Sequence, residues 1–189
     1  MSTHVVFFGG FQSSQADMDL WLASAQQVCP GVTYDAFPYP GHASSSRTAA
    51  AHGFEDQYDG VLGRIAEVGA DSLFIVGHSS GCAIANELNA RIPSMHDGAV
   101  TLIDLDGFSP WPHQINGSNH EVWSAVQSGG KGKSVNWAAS HKIYPSVSAT
   151  QPWSLHFSLV NTAATDAIDI NTYPRLGYAG CIANLYWLP

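Results

Sequence analysis

The sequence predicts an α/β fold, a mostly parallel sheet with helices on both faces. Three observations carry this. Short apolar, β-branched runs alternate with stretches in which apolar residues recur every three or four positions. One such run, Leu73-Phe74-Ile75-Val76, leads straight into Gly77-His78-Ser79-Ser80-Gly81 and then into a helical stretch. The length, 189 residues, suits one domain with a sizeable core. No internal repeat shows, so residues 1–189 read as a single unit.

Taken in order, residues 4–8 form a buried strand that runs into Gly9-Gly10-Phe11. Ser14 can then cap a helix, with Asp17 three residues on as the acid of a capping box. Met18, Trp21, Leu22, Ala25 and Val28 make its buried face, and Pro30-Gly31 ends it. Residues 32–37 alternate as the next strand, closing at Tyr39-Pro40-Gly41-His42. A polar loop is expected through Thr48. A helix over 54–68 follows, with Tyr58, Val61, Leu62 and Ile65 on one face and Gly69 as its stop. The strand over 73–76, its helix to Arg91, and a strand over 99–105 complete the regular part.

From Phe108 to Gln151 the composition shifts towards Pro, Gly and Trp, with a helix expected around 121–127. A stretch of this length without a clear core face is more often functional than idle, so 108–151 is read as a lid. A late strand is expected over 155–160. The tail over 170–189 is aromatic, and its type is unassigned.

The pentad Gly77-His78-Ser79-Ser80-Gly81 has the G-x-S-x-G form of a nucleophile elbow in strand–turn–helix context. The turn leaves no room for side chains at Gly77 and Gly81. It holds Ser79 strained and exposed at the top of the sheet, and the Ser80 N–H at the helix start faces an anion forming on the substrate.

Composition excludes several classes. The chain is 45% hydrophobic and 12% charged, with 7 basic and 15 acidic residues. A net charge of −8 argues against nucleic acid or an anionic membrane as partner. No run of about 18 apolar residues is present, so no membrane span is expected. The early first strand leaves no room for a signal peptide, so a cytoplasmic location is expected. Cys29, Cys82 and Cys181 have neither zinc-site nor disulfide spacing. The nine histidines show no metal-binding pattern, and no metal or organic cofactor is implied. Lys131-Gly132-Lys133-Ser134 lacks the earlier glycine and strand of a phosphate loop. Trp111, Trp123, Trp137 and Trp153 are read as core and lid packing.

Four segments resemble the α/β-hydrolase superfamily over roughly residues 4–107, and more faintly to Asp166. Gly9-Gly10-Phe11 followed by Trp21 is similar to the family's H-G-F loop and helix, with Gly9 in place of the histidine. Tyr39-Pro40-Gly41-His42 is similar to its P-G-H-G turn, and Ile75–Gly81 to its elbow. Leu102-Ile103-Asp104 resembles the L-x-D segment of the thioesterase branch, and the short length resembles the small serine hydrolases. The resemblance implies a compact α/β-hydrolase fold and Ser79 as nucleophile. It also implies an oxyanion hole of the Phe11 and Ser80 N–H groups. The implied substrate is a small-molecule or carrier-bound acyl group.

The acid and base stay open. Asp104 and Asp106 both stand at the carboxyl end of their strand, where α/β sheets place ligands, and alternation sends both to one side. The thioesterase-like segment favours Asp104, while Asp166 occupies the acid position of most other α/β-hydrolases. The family order puts the base last, yet no histidine follows His156. His156 lies inside an expected strand. His113, His120 and His141 could reach the site from the lid, and a missing C-terminal segment is the other explanation. His78 and His42 are read as structural or pocket-wall residues. The expected function is a serine hydrolase or acyltransferase on an ester or thioester, through an acyl-Ser79 intermediate. The alternative is a non-hydrolytic protein of the same fold that binds a small molecule or partner, or moves protons without a covalent step.

Overall fold

Six parallel strands in one sheet organise the chain. The computed structural model describes residues 2–28, 30–44, 46–92, 96, 98–105, 107, 119–124 and 140–143. Strands β1 (Thr3–Phe8), β2 (Thr33–Phe37), β3 (Ser72–His78), β4 (Ala99–Leu105), β5 (Asn119–Ser124) and β6 (Ser140–Ile143) lie in the order β2-β1-β3-β4-β5-β6. Helices α1 (Gln15–Val28), α2 (Arg47–Gly53), α3 (Tyr58–Val68) and α4 (Gly81–Arg91) make the connections, with a short 3-10 turn at Glu55–Gln57. β1 to β4 fall where the sequence placed them, each within two residues of the expected ends. Parallel strands buried on both faces read as nearly continuous apolar runs, which is why β1, β3 and β4 were recognisable, whereas the edge strand β2 was read from its alternation.

Helix α1 starts as its capping residues dictate. The Ser14 N–H and hydroxyl both donate to Asp17 Oδ2 at 2.7 Å, and the Asp17 N–H returns a bond to Ser14 Oγ at 3.3 Å. These bonds hold the Asp17 carboxyl below its usual range. Met18, Trp21 and Ala25 are buried, and the Trp21 ring stacks on Phe7 with 4.3 Å between centroids. On the opposite face Val6, Phe8, Leu73, Ile75 and Leu102 meet Ile84 and Leu88 of α4 and Tyr58, Val61 and Ile65 of α3. Each large apolar side chain buried there contributes roughly 1.5–3 kcal/mol. α3 stops at Gly69, whose φ of 56° is left-handed. Arg91 ties the end of α4 to the start of α3 by bonding Glu55 and Glu87 and lying 4.0 Å over the Tyr58 ring.

Three expectations need correction. The polar segment before Phe54 is not loop throughout: α2 begins at Arg47, with Ser46 Oγ accepting from the Ala49 N–H at 3.2 Å. The helix expected over 54–68 starts instead as the 3-10 turn and becomes α-helical at Tyr58. The helix expected around 121–127 is a strand over 119–124, since β5 pairs with β4 from Thr101↔Asn119 to Leu105↔Trp123. Sheet pairing overrides a weak local helical pattern. β5 and β6 lie within the expected lid segment, so those ten residues are sheet. The rest of 108–151, the strand expected over 155–160 and the tail over 170–189 lie outside the described residues. Among the described residues no helix is long and apolar enough to cross a membrane.

His4 on β1 is fully buried, with Nδ1 donating to the Thr33 carbonyl at 3.1 Å and Nε2 3.3 Å from Asp35 Oδ2. Burial lowers its pKa below 6.5, and the Asp35 charge only partly opposes this. The unfolded chain therefore takes up a proton near pH 6.5 that the folded chain resists. That contribution to stability is complete above pH 6.5 and is lost as pH falls towards the folded value. Urea unfolding of wild type and His4→Gln across this range should show a steeper acid-side loss in the wild type. Parallel profiles would contradict it.

Candidate active site

The strand order itself points to a crevice. From β1 the chain runs to β2 on one side, while β3 lies on the other side of β1 and leads on to β4. Open α/β sheets bind ligands at such a switch point, outside the carboxyl ends of the strands. Here those ends carry Gly9-Gly10-Phe11 after β1, and His78 at the end of β3 with Ser79-Ser80 after it.

Ser79 is held in the left-handed region, with φ of 54°. For a residue with a Cβ this costs roughly 1–3 kcal/mol, and it persists only where the surroundings impose it. Two glycines impose it. A Cβ on Gly77 would lie 2.5 Å from Cys82 Cα, and one on Gly81 would overlap Gly9 O and sit 2.5 Å from Phe8 O. The Gly77 side therefore closes on the helix start, and the Gly81 side closes on the end of β1. The Ser79 N–H donates to Leu105 O at 2.9 Å, and Ser79 O accepts from the Cys82 N–H at 3.2 Å. Cys82 Sγ bonds the Gly77 carbonyl at 3.0 Å. Ser79 thus stands at the N-terminus of α4, in the positive end of its dipole, with 6% of its surface exposed.

The loop after β1 presses on this elbow. A Cβ on Gly10 would lie 2.9 Å from Ser79 Cβ and 3.0 Å from His78 Nδ1. The Ser13 N–H closes a turn onto Gly10 O at 2.9 Å, and Gln12, its third residue, takes a φ of 67°. That is the type II pattern, which ordinarily takes Gly or Asn there. Phe11, on the same turn, is 45% exposed and meets the Tyr39 ring edge-on at 5.7 Å.

Tyr39 was not singled out from the sequence as a site residue. Its hydroxyl donates to Ser44 O at 2.6 Å. Burial raises the Tyr39 pKa above its ordinary value, and the nearby Ser80 side chain partly opposes the rise. Ser80 occupies the cap position of α4 but makes no side-chain cap bond. A tyrosine in the Tyr39-Pro40-Gly41 turn was the available signal, because that turn lies next to the loop after β1 only once the sheet is assembled.

The other sequence candidates fall in distinct places. Asp104 lies on β4 level with Gly77, wholly buried on the face covered by α4. Its Oδ1 accepts from Asn86 Nδ2 at 2.9 Å, and the same amide donates to Cys82 O at 2.8 Å. His120 stands opposite Leu102, three residues short of Leu105, and His141 stands opposite Val122, in the row of Asp104. Asp106, Asp166, His113 and His156 lie outside the described residues. Among the described residues no group of three His, Cys, Asp or Glu side chains is placed to hold a metal ion.

The sequence matches no family model and no curated protein. Solved structures do resemble it. A proposed hydrolase from Agrobacterium vitis S4 superposes with a TM-score of 0.51 at 13% identity, over 93% of this chain and 88% of that one. A proposed hydrolase of the α/β superfamily from Xanthomonas campestris pv. campestris gives 0.48 at 15% identity, over 97% of each chain. Sheet order, elbow and the first of these likenesses together define the class: the chain has the α/β-hydrolase fold.

The elbow geometry makes a paired prediction. Gly81→Ala forces a Cβ onto backbone oxygens that cannot yield, and should cost about 3 kcal/mol or more. Gly60→Ala, in the open on α3, should stabilise by roughly 0.5–1 kcal/mol. Chemical denaturation of both variants decides it, and a harmless Gly81→Ala would contradict the packing described.

Proposed function

We propose that the protein is a serine hydrolase or acyltransferase acting on an ester or thioester through an acyl-Ser79 intermediate. The observation that carries this reading is the strained Ser79, at φ 54° on a turn where neither flanking glycine has room for a Cβ. A structural serine has no need of that conformation. The Agrobacterium protein of the same fold is itself described as a proposed hydrolase, which agrees in class.

In this mechanism Ser79 Oγ attacks the acyl carbonyl as a histidine takes its proton. Negative charge moves to the carbonyl oxygen, which the Phe11 and Ser80 N–H groups receive. Such donors are worth roughly 3–4 kcal/mol each at the transition state. The tetrahedral intermediate collapses, the bond to the alkoxide or thiolate breaks, and the histidine returns the proton to that leaving group. Water, or a second acceptor, then attacks the acyl-enzyme by the same steps in reverse roles and regenerates Ser79.

The base is proposed among His141, His113, His120 and His156, with Asp104, Asp166 or Asp106 orienting it. One structural fact weighs on that choice: His120 sits below the carboxyl edge of the sheet.

A fluorophosphonate probe should label the folded protein, and Ser79→Ala should abolish the label. Alanine at one of His113, His120, His141 and His156 should slow labelling by orders of magnitude, since losing the base is about as damaging as losing the nucleophile. Folded protein that takes up no probe would falsify the acyl-serine reading and leave a non-catalytic binding role. Labelling indifferent to all four histidine substitutions would sink the triad.

A further inference from the structure

Asn86 stands in the middle of α4 and is only 1% exposed. Asparagine is a poor residue for a helix interior, because its amide competes for backbone groups. Its Oδ1 is also buried with no hydrogen-bond partner among the described residues, an arrangement that costs stability. Helix formation and packing therefore do not account for an amide at this position. What the amide does is donate twice: Nδ2 bonds Cys82 O at 2.8 Å and Asp104 Oδ1 at 2.9 Å.

These two bonds close a ring around the proposed nucleophile. Next to Asp104 on β4 is Leu105, whose carbonyl accepts from the Ser79 N–H at 2.9 Å. Ser79 O accepts from the Cys82 N–H at 3.2 Å, and Cys82 O is held by Asn86, which returns to Asp104. Ser79 is thus tied to β4 from both sides. One tie is its own N–H, and the other runs through the first turn of α4 and Asn86. Ser80 lies on the same closed stretch, between Ser79 and Cys82, and the Cys82 thiol adds an inner bond to Gly77 O at 3.0 Å.

We infer that Asn86 is a positioning residue for the nucleophile: it clamps the first turn of α4 to β4 and so sets where Ser79 Oγ and the Ser80 N–H stand. This rests on the acyl-Ser79 reading. Ser79 holds a left-handed conformation, which persists only while its surroundings impose it. Without the bond to Asp104 the helix keeps its own ladder but loses this polar anchor on β4. Nucleophile and oxyanion donor must stay within roughly 0.5 Å of the productive geometry, and a 1 Å misplacement can cost about a hundredfold in rate. Binding of the unreacted substrate does not need that precision, so the loss falls on kcat.

Two substitutions test this. Asn86→Ala removes both bonds. Asn86→Ser removes the bond to Asp104, while its hydroxyl can still return to Cys82 O within the helix. Turnover of p-nitrophenyl butyrate is measured per active site, counted by exhaustive fluorophosphonate labelling. Each variant should lower kcat on the order of tenfold, with KM within about twofold. Affinity for butylboronic acid, whose serine adduct is tetrahedral and anionic, should fall by about the same factor. The apparent pKa in the pH profile of kcat should match the wild type, since the base is untouched.

Wild-type kcat per site in either variant, even with lowered thermal stability, would mark a merely structural side chain and overturn the inference. So would a rise in KM with kcat preserved. A shifted apparent pKa would overturn it as well, because Asn86 would then act on the base through Asp104. If Asn86→Ala fails to fold, Asn86→Ser decides alone. Unchanged turnover in these variants while Ser79 is still acylated removes only the Asn86 role. Full turnover in Ser79→Ala removes the reading beneath it.

Discussion

Gly81 has no room for a Cβ against the carbonyls of Phe8 and Gly9, where the start of α4 touches the end of β1. That contact fixes how far α4 reaches under the sheet edge. It places the Gly9–Phe11 loop against the elbow and leaves Ser79 only the left-handed conformation. Burial of Ile84 and Leu88 against Val6, Phe8 and Ile75 holds the helix there. Asn86 adds a polar tie, bonding both Cys82 O and the buried Asp104 carboxylate. The strain at Ser79 is thus sustained by a core many times larger in free energy than its own cost.

Much of this was visible in the residues. Val5-Val6-Phe7-Phe8 and Leu73–Val76 are buried on both faces, so their composition alone marks them as central parallel strands. Ser14 and Asp17 announce the start of α1 because the capping bonds are local. What escaped was structure decided at a distance. Asn119-His120-Glu121-Val122-Trp123-Ser124 carries mixed polar residues, and only pairing with β4 makes it a strand. The start of α2 at Arg47-Thr48 looked like loop because it continues a polar, small-residue stretch, and the helix that begins there depends on the Ser46 cap.

The site divides along the same line. Nucleophile and elbow lie within five consecutive residues, so spacing exposes them. Tyr39 reaches the Phe11 turn only after β2 has paired with β1, and no sequence spacing encodes that meeting. The choice among Asp104, Asp106 and Asp166 is of the same kind. Alternation along β4 could send Asp104 to either face; packing of α4 decided that it lies beneath the helix, bonded to Asn86. A histidine serving the site must come from a segment far along the chain, so its identity is a question of tertiary approach and not of motif.

The central claim is that the elbow exists to make Ser79 a nucleophile. Intact-mass analysis of protein quenched in acid during turnover of p-nitrophenyl acetate, followed by peptide mapping, tests it most directly. The account predicts protein heavier by one acetyl group, carried on the peptide containing Ser79 and located on that residue. Turnover that proceeds with Ser79 unmodified, or acetyl found on another side chain alone, would contradict it.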